Sequence, residues 1–211
     1  MIPQKVEWMQ ALHERHGIEF QKKISSTTVA VCGLGGLGSN IAVALARAGI
    51  GKLILIDFDK VDITNLHRQQ YKANQIGMSK TEALRDNLKE INPYLETVLH
   101  TIYLDENNAK DMLLDADIIC EAFDSAEAKA SLVNFVLSAM PEKYIVAASG
   151  MAGLDSANLI KTRKVSSRFY LCGDEVSDAK GGMGLVSSRV MLCAAHQAHT
   201  VLRMIAEEYE V

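Results

Sequence analysis

Aromatic residues make up only 6% of this 211-residue chain, with a single tryptophan, and proline occurs three times. An interior so short of rings has to be filled by Ala, Val, Leu and Ile. No run of about 18 apolar residues is present, so the sequence predicts no membrane-spanning helix. The opening stretch, MIPQKVEWMQALHERHG, is amphipathic and lacks the apolar core of a signal peptide. The four cysteines, Cys32, Cys120, Cys172 and Cys193, form no CxxC pair. That usage fits a reduced, cytoplasmic protein without disulfides. Basic excess is also missing: the formal net charge is -4, which argues against a nucleic-acid partner.

What is present is 48% hydrophobic residues, enough for one α/β domain over residues 1–211 with a sizeable core. Residues 3–23 read as a helix broken at Gly17, with Trp8, Leu12 and Phe20 facing inward. Strands are expected at 28–32, 52–57, 96–102, 117–122 and 144–148, and helices at 39–48, 79–91, 106–114 and 125–139. Ser79-Lys80-Thr81-Glu82 has the spacing of a capping box. This alternation predicts a Rossmann-like, mostly parallel sheet with helices on both faces. After residue 148 the pattern changes. A strand at 157–162 and a partner at 167–171 predict an antiparallel C-terminal extension, followed by a polar loop over 173–184 and a long helix over 187–207.

The first strand runs into Gly33-Leu34-Gly35-Gly36-Leu37-Gly38, a G-x-G-x-x-G turn on Gly33, Gly35 and Gly38 that opens a helix. Glycine there permits a tight turn and close approach of backbone to a nucleotide, and a helix N-terminus favours an anion. Asp57 ends the next strand, where an acid accepts hydrogen bonds from ribose hydroxyls. This unit alone leaves NAD, flavin and ATP open.

The polar segment over residues 58–78 is long for a compact domain, and such connections are usually functional. It carries Asp59, Asn65 and Arg68, and Lys80 follows. A nicotinamide enzyme has no evident need for these residues at this mouth, whereas a triphosphate attacked at its α-phosphorus does. Arg68 offers a planar donor fork and Lys80 a mobile point charge on the cleft surface. Taken singly both read as solvated surface charges; beside the glycine loop they read as phosphate binders. Asp124, after the fourth strand, suits a helix cap, a magnesium ligand, or both. His196 and His199 lie three apart but lack a third ligand for zinc. His67 has no visible nucleophile to serve, and the Met183 region reads as loop packing.

The stretch GLGGLGSNIAVALARAGIGKLILIDFD, followed by NLHRQ, IGMSK and INP, resembles the ubiquitin-activating-enzyme-like adenylyltransferases of the ThiF and MoeB type. The short chain, running directly to CGDE and a glycine-containing loop, is most similar to the short ThiF proteins. The resemblance implies ATP and Mg²⁺ as cofactors and a homodimer. It also implies adenylylation of the C-terminal glycine of a ubiquitin-like sulfur-carrier protein ending in Gly-Gly, with release of pyrophosphate. By resemblance Gly35 and Gly36 line the nucleotide and Asp57 binds ribose. Asp59, Asn65 and Arg68 meet the nucleotide or its phosphates, Lys80 binds phosphate, and Asp124 coordinates magnesium. Arg15 is the candidate for an arginine that reaches across the dimer.

Longer members carry two CxxC pairs for zinc, which Cys172 and Cys193 cannot supply, so no zinc is expected. Where some members place a sulfur-transfer cysteine, this chain reads Ser177-Asp178-Ala179-Lys180, which implies a separate sulfur donor protein. Cys172 would be disfavoured as a thiolate by Asp174 and Glu175. An NAD- or flavin-dependent oxidoreductase and a non-catalytic nucleotide-binding partner subunit remain the competing readings.

Overall fold

The computed structural model describes residues 2–178 and 183–211. Two short helices, α1 (Lys5–His16) and α2 (Ile18–Ser26), precede the first strand and part at Gly17 as expected. On α1 no residue is fully buried; Trp8, Leu12 and the following helix's Phe20 are half-buried. The sheet has seven strands: β1 (Thr28–Cys32), β2 (Lys52–Ile56), β3 (Glu96–His100), β4 (Ile118–Glu121), β5 (Tyr144–Ala148), β6 (Lys161–Lys164) and β7 (Phe169–Gly173). Their spatial order is β3-β2-β1-β4-β5-β7-β6. All neighbours pair parallel except β6 with β7.

The chain first steps outward from β1 to β2 and β3, then returns to lay β4 on the other side of β1. The carboxyl ends of β1 and β4 therefore flank the topological switch point, where open α/β sheets bind ligands. Strands buried on both faces read as near-continuous apolar runs, which is why TVAVC, KLILI and IICE show no polar alternation and carry polar residues only at their ends. Val29, Val31, Leu53 and Leu55 face a core formed with α3 (Gly36–Ala48), α4 (Lys80–Ile91) and α7 (Ser187–Ile205). Ala30, Cys32, Ile54 and Ile56 face α5 (Ala109–Leu113) and α6 (Ala126–Ala139).

Three local expectations are corrected. Residues 157–159 form a 3-10 turn, and the antiparallel strand starts only at Lys161. Ser79 precedes α4, but its hydroxyl donates to Glu82 Oε2 at 2.6 Å instead of capping a backbone N–H. The first amide of α4 is satisfied by tertiary structure: Lys80 N–H donates to the Asp59 carbonyl at 2.9 Å, beside an antiparallel bridge between Lys60 and Ser79. The cap of α6 is Ser125, whose Oγ accepts from Ala128 N–H at 3.3 Å, so Asp124 is released from that role.

Candidate nucleotide site

The turn after β1 is built on two glycines. Gly33 has φ +92°, and a Cβ on it would lie 2.8 Å from the Ala122 carbonyl oxygen. A Cβ on Gly38 would lie 1.8 Å from the Gly33 oxygen, so α3 can approach the strand only with glycine there. At Gly35 an added Cβ meets nothing closer than Gln69 Nε2 at 3.7 Å, which leaves that side of the turn open to a ligand.

Asp57 stands one residue past β2 and is 8% exposed. Its carboxylate accepts from Leu34 N–H at 2.6 Å and from Asp59 N–H at 2.8 Å. Burial raises its pKa, opposed by the Lys80 charge and these amides. Here Asp57 braces the glycine turn, and a ribose hydroxyl would have to share an acceptor already in use. Tyr71 OH, donating to the Leu34 carbonyl at 2.7 Å, pins the turn from the other side.

The segment between β2 and α4 delivers its cations differently from one another. Arg68 is half-buried, with its stem 3.5 Å from where a Gly36 Cβ would sit. Its Nη1 donates to the Thr64 carbonyl at 3.1 Å and lies 2.7 Å from His67 Nε2. Its Nε is buried with no partner among the described residues, as is Gln69 Oε1. Asn65 closes the local 3-10 turn, its Oδ1 accepting from Asp62 N–H at 3.1 Å.

Lys80 departs from the sequence expectation. It is 6% exposed and ion-paired to Asp59 Oδ2 at 2.7 Å, so it is a fixed buried charge, not a mobile one on the cleft surface. The reason is the strand-like bridge at Lys60 and Ser79, which draws the first turn of α4 onto Asp59.

Across the switch point, Asp124 is exposed in the turn after β4. Arg15 is not brought to this site within one chain. It is exposed in the last turn of α1, a helix whose Leu12 touches Gly49 at the far end of α3. With a rise of about 1.5 Å per residue, α3 sets that end roughly 20 Å from the glycine turn.

Two buried charge pairs went unnoticed in the sequence. Glu121, the last residue of β4, is fully buried and paired to Lys129 at 3.0 Å. Burial raises its pKa against that partner's pull. A lone acid ending an apolar run was the available signal. Arg189, on the first turn of α7, pairs with Asp174 and donates to the Asp155 and Ser156 carbonyls. Burial pushes the Asp174 pKa up, but amides of Ser177 and Val176, the Ser177 hydroxyl and Arg189 outweigh it and hold it near about 2.

Cys172 is fully buried, and its thiol is pushed up to about 11 by burial, with hydrogen bonds from Thr162 and Thr200 opposing. Desolvation, not the neighbouring acids, is thus what disfavours its thiolate. His196 bonds through Nδ1 to Thr162 Oγ1 at 3.0 Å. Among the described residues no group of three His, Cys, Asp or Glu side chains is arranged to hold a metal. Of the four residues where a sulfur-transfer cysteine would fall, Ala179 and Lys180 lie outside the described residues. Met183 is exposed, not packed.

The residues fit a nucleotide: an open glycine turn at a helix N-terminus, an unpartnered Arg68 Nε beside it, and an acid at the end of β2. One exposed carboxylate at Asp124 also suits magnesium carried in on phosphates, since that ion keeps waters and takes only one or two protein carboxylates. A groove of about 340 Å³ lined by Asp117, Ile118, Tyr144 and Met204 lies at the amino edge of the strands, away from this chemistry.

The ThiF family profile matches residues 9–211. The chain is 40% identical over 128 residues to the adenylyltransferase and sulfurtransferase MOCS3 of Caenorhabditis briggsae, covering 60% of this chain and 32% of that protein. It is 47% identical over 92 residues to ubiquitin-like modifier-activating enzyme 5 of Caenorhabditis elegans, covering 44% of this chain and 22% of that protein. The chain thus spans a third or less of the length of these relatives. Among solved structures, the E. coli tRNA N6-threonylcarbamoyladenosine dehydratase TcdA, in complex with AMP, superposes with a TM-score of 0.85 at 20% identity. That match covers 99% of this chain and 98% of the other.

Proposed function

The chain belongs to the ThiF family, and from that premise we propose that it is an ATP-dependent adenylyltransferase. Its substrate is the C-terminal glycine carboxylate of a ubiquitin-like sulfur-carrier protein, with ThiS of thiamine thiazole synthesis as the first candidate. A carboxylate oxygen of the carrier attacks the α-phosphorus of ATP, the bond to the β-phosphate oxygen breaks, and pyrophosphate leaves with the electron pair. The products are the carrier acyl-adenylate and pyrophosphate.

The observation that carries this reading is Arg68. Its stem packs beside Gly36 in the first turn of α3, its Nε is buried without a partner, and among the described residues no carboxylate neutralises its guanidinium. NAD or FAD would offer that cation only the diphosphate bridging its two halves, whereas ATP adds a terminal phosphoryl group whose charge must be held as pyrophosphate leaves. In this reading Gly33, Gly35, Gly36 and Gly38 form the cradle. Asp57 receives the ribose once it yields the Leu34 amide. Asn65 shapes the segment that presents Arg68. Lys80 directs its charge to phosphate while Asp59 holds it, and Asp124 takes magnesium, which when bound would neutralise phosphate charge.

TcdA is by name a dehydratase of a tRNA nucleoside. The acidic balance of this chain and its carrier-activating relatives by name, a modifier-activating enzyme among them, favour a protein carrier. The reading extends to a homodimer in which Arg15 completes the neighbouring site, and to a separate sulfur donor that consumes the acyl-adenylate.

Mixing Arg15→Ala chains with Asp124→Ala chains should then restore about a quarter of activity. Full activity in a strict monomer would remove the trans arginine. The reading as a whole is tested by calorimetric titration with Mg-ATP and with NAD. Binding of Mg-ATP in preference to NAD is expected. Tight NAD binding without ATP binding would overturn it, and so would ATP-dependent turnover of the tRNA nucleoside with no carrier present.

A further inference from the structure

Glu121 takes no part in the reaction just described, yet it is a fully buried carboxylate at the carboxyl end of a central strand. Removing a charge from water demands compensation. Glu121 obtains it from Lys129 Nζ at 3.0 and 3.1 Å, from Phe123 N–H at 2.7 Å, and from the Ala148 amide. Its main-chain carbonyl accepts from Gln197 Nε2 at 2.9 Å. These bonds join the end of β4 to α6, β5 and α7.

A buried ion pair is poor value for stability, since apolar residues of equal volume often serve as well or better. Its position therefore calls for another reason. The turn that Glu121 grips abuts the nucleotide loop directly: a Cβ on Gly33 would touch the Ala122 carbonyl at 2.8 Å and the Phe123 ring at 3.0 Å. Asp124, exposed, is the next residue after Phe123.

We propose that Glu121 is a positioning residue. Through Phe123 N–H on one side and Lys129 on the other, it fixes the Ala122–Asp124 turn against Gly33 and so aims the Asp124 carboxylate. The inference rests on the adenylyltransferase reading.

The test uses the double variant Glu121→Leu with Lys129→Met. It replaces both charges with apolar side chains and so leaves no unpaired charge to unfold the protein. ATP affinity is measured by calorimetry with and without Mg²⁺. A structural lesion would weaken both affinities. Loss of aim at Asp124 should leave metal-free ATP affinity within about twofold and cut the Mg²⁺-dependent gain by about 10- to 100-fold, the scale of lost outer-shell partners. Introduced into an Asp124→Ala background, the pair should cause no further loss. An unchanged Mg²⁺ gain, or an equal additional loss without Asp124, would overturn the proposal. If the double variant does not fold, Glu121→Met, which removes both contacts while the partly exposed Lys129 can turn to solvent, carries the same two comparisons. Wild-type protein that fails to bind Mg-ATP would instead sink the adenylyltransferase reading, and this inference with it.

Discussion

Two polar connections leave the carboxyl edge of the sheet, one from β2 to α4 and one from β7 to α7; Arg68 lies within the first and Arg189 on the first turn of the helix that ends the second. Arg68, on the first, contacts one carbonyl and a histidine and has no carboxylate partner among the described residues; the Nε of both arginines is unpartnered. Arg189, at the end of the second, is 4% exposed and committed to Asp174 and two carbonyls. The carboxylate fastens Arg189 to the chain, whereas Arg68, without one, is the cation we propose for a ligand. In sequence the two look alike; only the partners available in three dimensions divide them.

The sharpest way to break this contrast is to truncate both arginines. Arg68→Ala should lower carrier-dependent ATP–pyrophosphate exchange by about 10²- to 10³-fold, with its unfolding free energy in urea within about 0.5 kcal/mol of wild type. Arg189→Ala should do the reverse, losing about 3 kcal/mol of stability as the Asp174 carboxylate keeps its Val176 and Ser177 donors but loses its counter-charge. Equal effects on exchange and stability at both sites would erase the distinction.

Lys80 belongs between these cases, being buried yet near the glycine turn. Lys80→Ala should reduce exchange on the scale of Arg68→Ala and also cost about 1 kcal/mol of stability. The half-exposed Asp59 can be solvated once its partner is gone. A stable, fully active variant would remove Lys80 from the site.

The fastening role of Asp174 carries a pH signature. Its folded pKa, about 2, lies below the ordinary aspartate value of about 3.9. Its contribution is therefore complete above about pH 4 and is lost as pH falls toward 2. The stability gap between wild type and Asp174→Asn should be flat from neutral pH down to mildly acidic pH and close on further acidification. A gap that widens in acid would contradict the pairing.

The smallest effect is expected at Cys172. Buried and protonated, it should resist thiol reagents in the native state, and Cys172→Ser should leave carrier adenylylation unchanged. Abolished thiocarboxylate formation with normal adenylylation would make it a sulfur carrier after all.

Much of this was legible before the structure. The glycine turn, Asp57 and the long polar segment announce themselves because backbone conformation and strand ends constrain residue type locally. The apolar runs gave the five strands to Ala148 nearly to the residue. What failed depended on distant partners. Lys80 looked mobile because nothing in its own segment reveals Asp59 beside it. Asp124 looked like a cap because Ser125 is equally suited. Glu121–Lys129 and Asp174–Arg189 are separated by 8 and 15 residues and meet only through the fold. The strand expected at 157–162 begins late, since Ser156 Oγ accepts from Asn158 N–H at 3.3 Å and starts a turn that no periodicity reports.

The central claim is that the cations of the first connection serve ATP-dependent activation of a carrier's terminal carboxylate. Its most direct test is to incubate the protein with ATP labelled at the α-phosphate, Mg²⁺ and purified carriers ending in Gly-Gly, then follow label on the carrier by mass and autoradiography. Transfer of AMP to one such carrier, with release of pyrophosphate and loss of transfer when its last glycine is removed, is the predicted result. ATP binding with no label on any Gly-Gly carrier, and none dependent on a terminal carboxylate, would contradict it.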